Sequence, residues 1–368
     1  MGAKGAYCLH HGLPIVEEAT FAGNRAHSIL CAKGPESHFT AMRPPWGSMD
    51  TSSIKRVVVI GTGLMGPGIA QSFAASGRQV SMYGRTQESV DRGLTSLEAN
   101  LRAMQKAEML DEEDVVRIRA AVSGSTDLES LAAEADLVVE SIIEELPLKR
   151  SLFSLLDRVC LSHALICTNT SGLPVTEVAA EMARPERAAT THYWNPPHLM
   201  PLVEIVKGER TSLETVELLR ALLLEIGKRP VVVWKDVPGQ LGNRIFHAIK
   251  REAMYIVQEG IATAEEVDLA IKMGLGLRFP AYGPLEHTDL NGLDASLRIE
   301  SYLFKSLCND DEPLPILKQK VANGERGLKD GKGFYDWSKR DAAEVRRIRD
   351  EFLMARVKEL YPPKKRLQ

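Results

Sequence analysis

Cysteine, long apolar runs and charge of one sign are all scarce in this sequence, and each scarcity narrows what the chain can be. Only five cysteines occur, Cys8, Cys31, Cys160, Cys167 and Cys308, widely spaced and without a CxxC pair. That pattern supports neither a disulfide framework nor a zinc site, so no metal is expected and a reducing, cytoplasmic setting fits, with mitochondria and peroxisomes left open. No apolar run approaches the roughly eighteen residues of a membrane span, so a soluble protein without membrane contact is expected. The 46 Lys and Arg nearly balance 49 Asp and Glu, leaving a formal net charge of −3. Without a broad basic field, nucleic acid is not an expected partner, and any anionic ligand must be held locally.

Sustained periodicity is missing from residues 1–48, which scatter Gly, Pro and His and end in Arg43-Pro-Pro-Trp-Gly-Ser48. They are expected to form a disordered extension. A targeting signal is disfavoured because Glu17 and Glu18 interrupt the segment and it has no clear apolar centre. The remainder is long enough for two domains, and 44% hydrophobic content can fill two cores.

The most informative stretch reads Arg56-Val-Val-Val-Ile-Gly-Thr-Gly-Leu-Met-Gly-Pro-Gly-Ile-Ala70. Four β-branched residues predict a strand buried on both faces, and an amphipathic start predicts a helix running to about Ala75, closed by Gly77. Between them, Gly61 permits a tight turn, Gly63 lets backbone approach a pyrophosphate, and Gly66 lets helix and strand pack closely; Leu64 and Met65 complete the loop. Glycine turns also serve as plain connections, but strand before and helix after favour a dinucleotide site. The next strand, Gln79 to Tyr83, ends where such folds place an acid on the adenosine ribose, yet this chain has Gly84 and Arg85. Loss of the acid removes a repulsion and Arg85 can bind a 2′-phosphate, so the sequence leans to NADP; alternatively Arg85 is a solvated residue stacking on adenine. An acid restored at position 84 is expected to return preference to NAD.

A charged helical excursion from Gln87 to about Ala121 interrupts the alternation, which resumes with strands at Leu137–Glu140 and Ala164–Cys167. The latter leads to Thr168-Asn169-Thr170-Ser171, polar groups at the strand edge that carries ligands in open α/β sheets. Further on, two strands flank a proline-rich turn in the stretch from Ala188 to Val206. The reversal can bring Glu204 beside His192, giving an imidazole oriented by a carboxylate, as a general base requires. On spacing alone His192 reads more readily as a structural histidine than as a base, and His198 more so. After a helix from Thr211 to Ile226 and a strand from Pro230 to Trp234, Asp236-Val-Pro238 suggests a helix start. An apolar stripe of Leu241, Ile245, Ile249 and Ile256 follows, and Asn243 lies near that helix's beginning.

Together the glycine loop, Val139-Glu-Ser-Ile-Ile-Glu144, Asn169-Thr-Ser171, His192 through Val206, Gly242-Asn243-Arg244 and Gly331-Lys-Gly-Phe-Tyr-Asp-Trp337 resemble the L-3-hydroxyacyl-CoA dehydrogenase family over residues 54–337. The resemblance implies an α/β fold with a Rossmann-type NAD(P)-binding domain at 54–235, an all-α substrate and dimerisation domain at 236–337, and a charged helical tail at 338–368. It implies hydride transfer between NAD(P) and a 3-hydroxyacyl-CoA, a place in fatty acid metabolism, and a homodimer. His192 would be the catalytic base, Glu204 its partner, Ser171 a contact to substrate oxygen and nicotinamide, and Asn243 a holder of the reacting group. Glu144, Lys149 and Asn169 would line the cofactor site.

Some residues depart from the acyl-CoA enzymes. Family habit is NAD, against the Gly84-Arg85 pattern, and the Ser and Lys that grip CoA have no match between Gly93 and Lys106. The stretch Gly274-Leu-Gly-Leu-Arg278-Phe-Pro-Ala-Tyr-Gly-Pro284-Leu-Glu resembles the branch containing L-gulonate 3-dehydrogenase, λ-crystallin and carnitine dehydrogenase, whereas Gly327 to Trp337 resembles the acyl-CoA branch. A dehydrogenase of a free 3-hydroxy acid and a non-catalytic crystallin-like nucleotide-binding protein are therefore the alternatives. The segment from Ser338 to Leu360 is expected to be a solvated helix on the second domain or at a dimer edge.

Overall fold

The computed structural model describes residues 50–360; the expected extension at 1–48 lies outside them, as does the chain beyond residue 360. The strands are β1 (Arg56–Ile60), β2 (Gln79–Tyr83), β3 (Val122–Ser125), β4 (Leu137–Glu140), β5 (Leu165–Thr168), β6 (Ala188–Tyr193), β7 (Leu202–Val206) and β8 (Arg229–Val233). They form one sheet in the order β3-β2-β1-β4-β5-β6-β7-β8. Every pairing is parallel except that of β6 with β7. Successive residues of β1 face opposite sides, and both sides are covered. Val57 and Val59 join one core with Ile69, Phe73, Leu97 and Leu219, while Val58 and Ile60 join another with Phe153, Leu156 and Ile166. This is why the strand is apolar throughout instead of alternating.

The covering helices are α1 (Gly66–Ala75), α2 (Gln87–Lys106), α3 (Glu112–Ala120), α4 (Leu128–Ala133), α5 (Leu146–Val159), α6 (Val175–Val178) and α7 (Leu213–Glu225). From β1 the chain builds outward through β2 and β3, then returns to lay β4 on the other side of β1. That reversal opens a crevice at the carboxyl ends of β1 and β4.

Beyond β8 the described chain is helical: α8 (Gly242–Gln258), α9 (Ala264–Ala270), a wide turn Ile271–Leu275 into α10 (Gly276–Arg278), α11 (Pro284–Asn291), α12 (Leu293–Leu303), α13 (Pro315–Ala322) and α14 (Ala342–Leu360). Asp236 does not start a helix. Its carboxylate instead accepts the N–H and hydroxyl of Thr176, both at 2.7 Å, and the chain turns through Gly239 and Gln240 at positive φ before α8 begins. The tail is the helix α14, which has no buried residue. The far end of α14 reaches the sheet-bearing unit, where Lys358 Nζ donates to Ala107 O at 3.4 Å and lies 3.3 Å from Glu108 Oε2. Val357 closes a cavity of about 150 Å³ lined by Gln71, His198 and Lys228. No helix among the described residues is long and apolar enough to cross a membrane.

Candidate active site

A cleft of about 1340 Å³ runs along the carboxyl edge of the sheet. Gly61, Gly63, Leu64 and Met65 line it, between the end of β1 and the start of α1. Gly61 has φ +114°, and a side chain there would strike the Ser141 carbonyl. Gly66 lies behind the wall, where a Cβ would run into Gly61 O; its absence lets α1 begin directly against the strand end. Space beside Gly63 is open, so the backbone amides at the head of α1 are reachable by a bound pyrophosphate, and the loop fits a dinucleotide.

At the β2 end the cleft is bounded by Gly84, Arg85, Thr86, Ser89 and Arg92. Thr86 and Ser89 cap α2 reciprocally. Arg92 pairs with Glu88, whereas Arg85 is exposed and, among the described residues, carries no ion pair. Gly84 is closed in. A Cβ there would collide with Ser89 Oγ, lie 2.9 Å from Val90 Cγ2 and 3.2 Å from Thr62 Cγ2. An acid at position 84 would therefore have to displace the Ser89 and Val90 side chains to reach a ribose, and Ser89 is part of the cap of α2.

Towards the middle, Lys149 is buried and bonded to Glu140 Oε1 at 2.6 Å, with Glu144 Oε2 at 3.3 Å. Glu140 also accepts from Thr168 Oγ1 at 2.7 Å and Ile142 N at 2.7 Å, so β4, β5 and α5 are tied together under the cleft floor. Glu144 accepts from Ser171 N at 2.7 Å, Ser171 Oγ at 3.2 Å and Thr170 Oγ1 at 2.8 Å. Burial pushes its carboxyl upward, but the Ser171 amide, the Lys149 charge and the Thr170 hydroxyl outweigh this and hold it below the ordinary range. Asn169 accepts from Tyr193 N at 2.8 Å and donates to Ser141 Oγ at 3.2 Å, which fixes it at the junction of β5 and β6.

The antiparallel pairing of β6 with β7 places His192 directly opposite Glu204. His192 Nδ1 lies 2.7 Å from Glu204 Oε2, and both side chains are buried. With Nδ1 bonded to the carboxylate, Nε2 is left for a ligand, and His192 lines the cleft. Glu204 stays behind it, with its other oxygen accepting Leu241 N at 2.9 Å and Gly242 N at 2.8 Å. Leu241 makes no side-chain cap of its own, so a carboxylate from the sheet caps α8. One residue into that helix, Asn243 donates to Ser171 O at 3.1 Å.

His192, Ser171, Asn243, Asn169, Glu144, Lys149 and Arg85 thus share one cleft with the glycine loop. Sequence reading missed Glu140, whose role depends on Lys149 nine positions away, and Trp194, Asn195 and His247, which also line the cleft. His247 follows Asn243 by four residues, a spacing that would have placed it on the same helix face. Among the described residues no group of three or more His, Cys, Asp or Glu could hold a metal ion.

Comparison with known proteins gives a consistent set of matches. The profile described as 3-hydroxyacyl-CoA dehydrogenase, NAD binding domain, matches residues 56–237, and that of the C-terminal domain matches residues 239–337. A 5-formyl-3-hydroxy-2-methylpyridine 4-carboxylate 5-dehydrogenase from Mesorhizobium japonicum is 31% identical over 306 residues, covering 82% of this chain and 97% of the relative. A probable 3-hydroxybutyryl-CoA dehydrogenase from Bacillus subtilis is 39% identical over 288 residues, covering 78% and 99%. Among solved structures, a 5-formyl-3-hydroxy-2-methylpyridine 4-carboxylic acid 5-dehydrogenase described as an NAD+-dependent dismutase superposes with a TM-score of 0.78. It is 30% identical, with 84% of this chain and all of that one covered.

Proposed function

The chain belongs to the 3-hydroxyacyl-CoA dehydrogenase family, and from that premise we propose that it oxidises the 3-hydroxy group of an acyl-CoA to a ketone, and reduces it in reverse, with His192 as general base. The observation that carries this reading is the 2.7 Å His192–Glu204 bond at a wall of the cleft into which the glycine loop opens. When bound, the dinucleotide supplies the hydride acceptor. The chain's own residues move the proton: Nε2 of His192 takes it from the carbinol oxygen, and the Glu204 carboxylate stabilises the imidazolium that forms. Ser171 Oγ, steadied by Glu144, and the Asn243 amide orient the reacting oxygen. Lys149 and Glu144 hold the nicotinamide side of the cleft, Asn169 the wall beside it.

The cofactor part of the proposal is finer than the family's NAD. Arg85 is exposed beside the Thr86 and Ser89 hydroxyls, with Gly84 where an acid would repel phosphate, and this favours NADP used at least as well as NAD. We also propose a homodimer formed through the helical region. Its α11 and α12 expose Leu285 at 80%, Leu290 at 76% and Leu297 at 69%, apolar surface that a second copy would cover. The buried free thiols of Cys160 and Cys167 suit a reducing compartment such as the cytoplasm.

A second reading, oxidation of a free hydroxy acid, is favoured by one observation: the Mesorhizobium relative named for a small pyridine carboxylate matches over nearly its whole length. One experiment separates the two. Acetoacetyl-CoA and free 3-oxo acids are offered with NADH or NADPH, and nucleotide absorbance is followed. The acyl-CoA reading expects rapid loss of absorbance with acetoacetyl-CoA; turnover confined to the free acids would replace it with the second.

A further inference from the structure

Glu204 divides its two oxygens between two parts of the molecule. Oε2 accepts from His192 Nδ1 at 2.7 Å and from Trp194 Nε1 at 3.1 Å, while Oε1 accepts the first amides of α8. Trp194 follows His192 by two residues, and the two rings lie 6.0 Å apart between centroids. Its indole is also pressed against α8. A Cβ on Gly242 would strike Cζ2 of Trp194 and lie 3.2 Å from Cε2, so glycine at the helix start is what admits the ring.

We propose that Trp194, together with the first turn of α8, is a positioning residue that sets how strongly Glu204 draws the proton on His192, a role that rests on His192 being the base. Each N–H donated to a carboxylate spreads its charge and weakens the bonds it makes elsewhere. Removal of the indole donor leaves more of that charge for the His192 N–H, which favours imidazolium. The carboxyl is already balanced this way: burial raises it, but the His192, Gly242, Trp194 and Leu241 donors bring it below the ordinary range. The base on the sheet is thereby tuned from the helical region, because two of the four donors belong to the start of α8. Other titratable groups facing the cleft here, Glu144 with Lys149 and His247 on α8, are the same in parent and variant and cancel in a comparison.

The test replaces Trp194 with benzothienylalanine, in which sulfur takes the place of the indole N–H and the shape is kept. The acid limb of the rate profile for alcohol oxidation, which requires neutral imidazole, is expected to move up by about half a pH unit. Trp194→Phe and Gly242→Ala, the latter displacing the ring, are expected to move it in the same direction. An unmoved limb, or one displaced downward, overturns the role of Trp194. His192→Gln is measured in parallel. Loss of turnover there with an unmoved limb in the isostere fails Trp194 alone, whereas retained turnover fails the base and the tuning together.

Discussion

The sheet-bearing unit and the helical region that follows it are built on opposite terms. The first contains two buried clusters, one on each face of the sheet, with Phe73, Phe153, Leu97 and Leu156 wholly enclosed. In the second, α8 and α11 to α14 bury no residue completely, and Val267, Cys308 and Leu314 are its enclosed apolar side chains. The sheet unit carries its own core; the helical region leaves many large apolar side chains exposed. Several links between them are polar, Glu204 to the α8 amides, Asn243 to Ser171 O, and Gln240 Nε2 to Thr170 O at 2.7 Å, beside the packing of Trp194 on Gly242 and of Val357 against the sheet unit. The proposed base thus lies on the sheet, while Asn243 comes to the same cleft from the start of α8.

The sharpest way to break that division is at the base. His192→Gln is expected to lower turnover about 10³- to 10⁴-fold while nucleotide affinity, read by fluorescence titration, stays unchanged. Substantial residual activity would mean the sheet unit does not hold the reactive group. The two packing regimes can be set against each other next. Phe73→Ala is expected to cost about 3–5 kcal/mol in chemical denaturation, as loss of an enclosed aromatic does. Leu293→Ala, at a side chain 65% exposed, is expected to stay within about 0.5 kcal/mol for dilute protein and to weaken self-association measured by sedimentation. A large loss at Leu293 in dilute protein would show that the helical region has a core of its own.

Smaller effects sharpen the picture at the ends of the sheet. Arg85→Ala is expected to weaken NADP about ten- to a hundredfold and NAD little, the scale of one charge-assisted contact. Equal losses would make Arg85 an adenine-stacking residue. His198 tests the sheet unit's interior, because burial and then the Lys228 ammonium push its imidazole from 6.5 to about 4. The unfolded chain takes up that proton near 6.5 and the folded chain only near 4, so stability falls as pH drops through this window. His198→Gln should flatten that part of a stability-against-pH curve, and an unaltered slope would count against a buried neutral ring.

Local pattern made much of this legible. The β-branched run of β1 and the glycine spacing after it need only neighbours in sequence; the proline-rich turn allows Glu204 to come beside His192, but the pair is assigned through the family resemblance. What sequence hid were partnerships at long range. Asp236 has the residue type of a helix cap, yet the groups it caps belong to Thr176, sixty positions earlier. Glu204 reads as a partner for one histidine, yet it also caps a helix 37 residues onward. The tail's charge pattern said helix but not which surface its end would touch, because that contact joins Lys358 to Glu108.

The closed corner at Gly84 has a consequence for how this chain can change. Viewed as a route through sequence space, it sets a cost on any acid placed there, whichever nucleotide the chain prefers. A lone Gly84→Asp step arrives before there is room for it, since Ser89 and Val90 occupy the volume and Ser89 is committed to the cap of α2. A path back to an acid must first loosen positions 89 and 90, and its early steps weaken a helix before they gain anything at the ribose. Altering Arg85, an exposed residue at the edge of the cleft, demands no such sequence of moves. Drift in nucleotide choice should therefore accumulate at the arginine while the glycine beside it stays fixed.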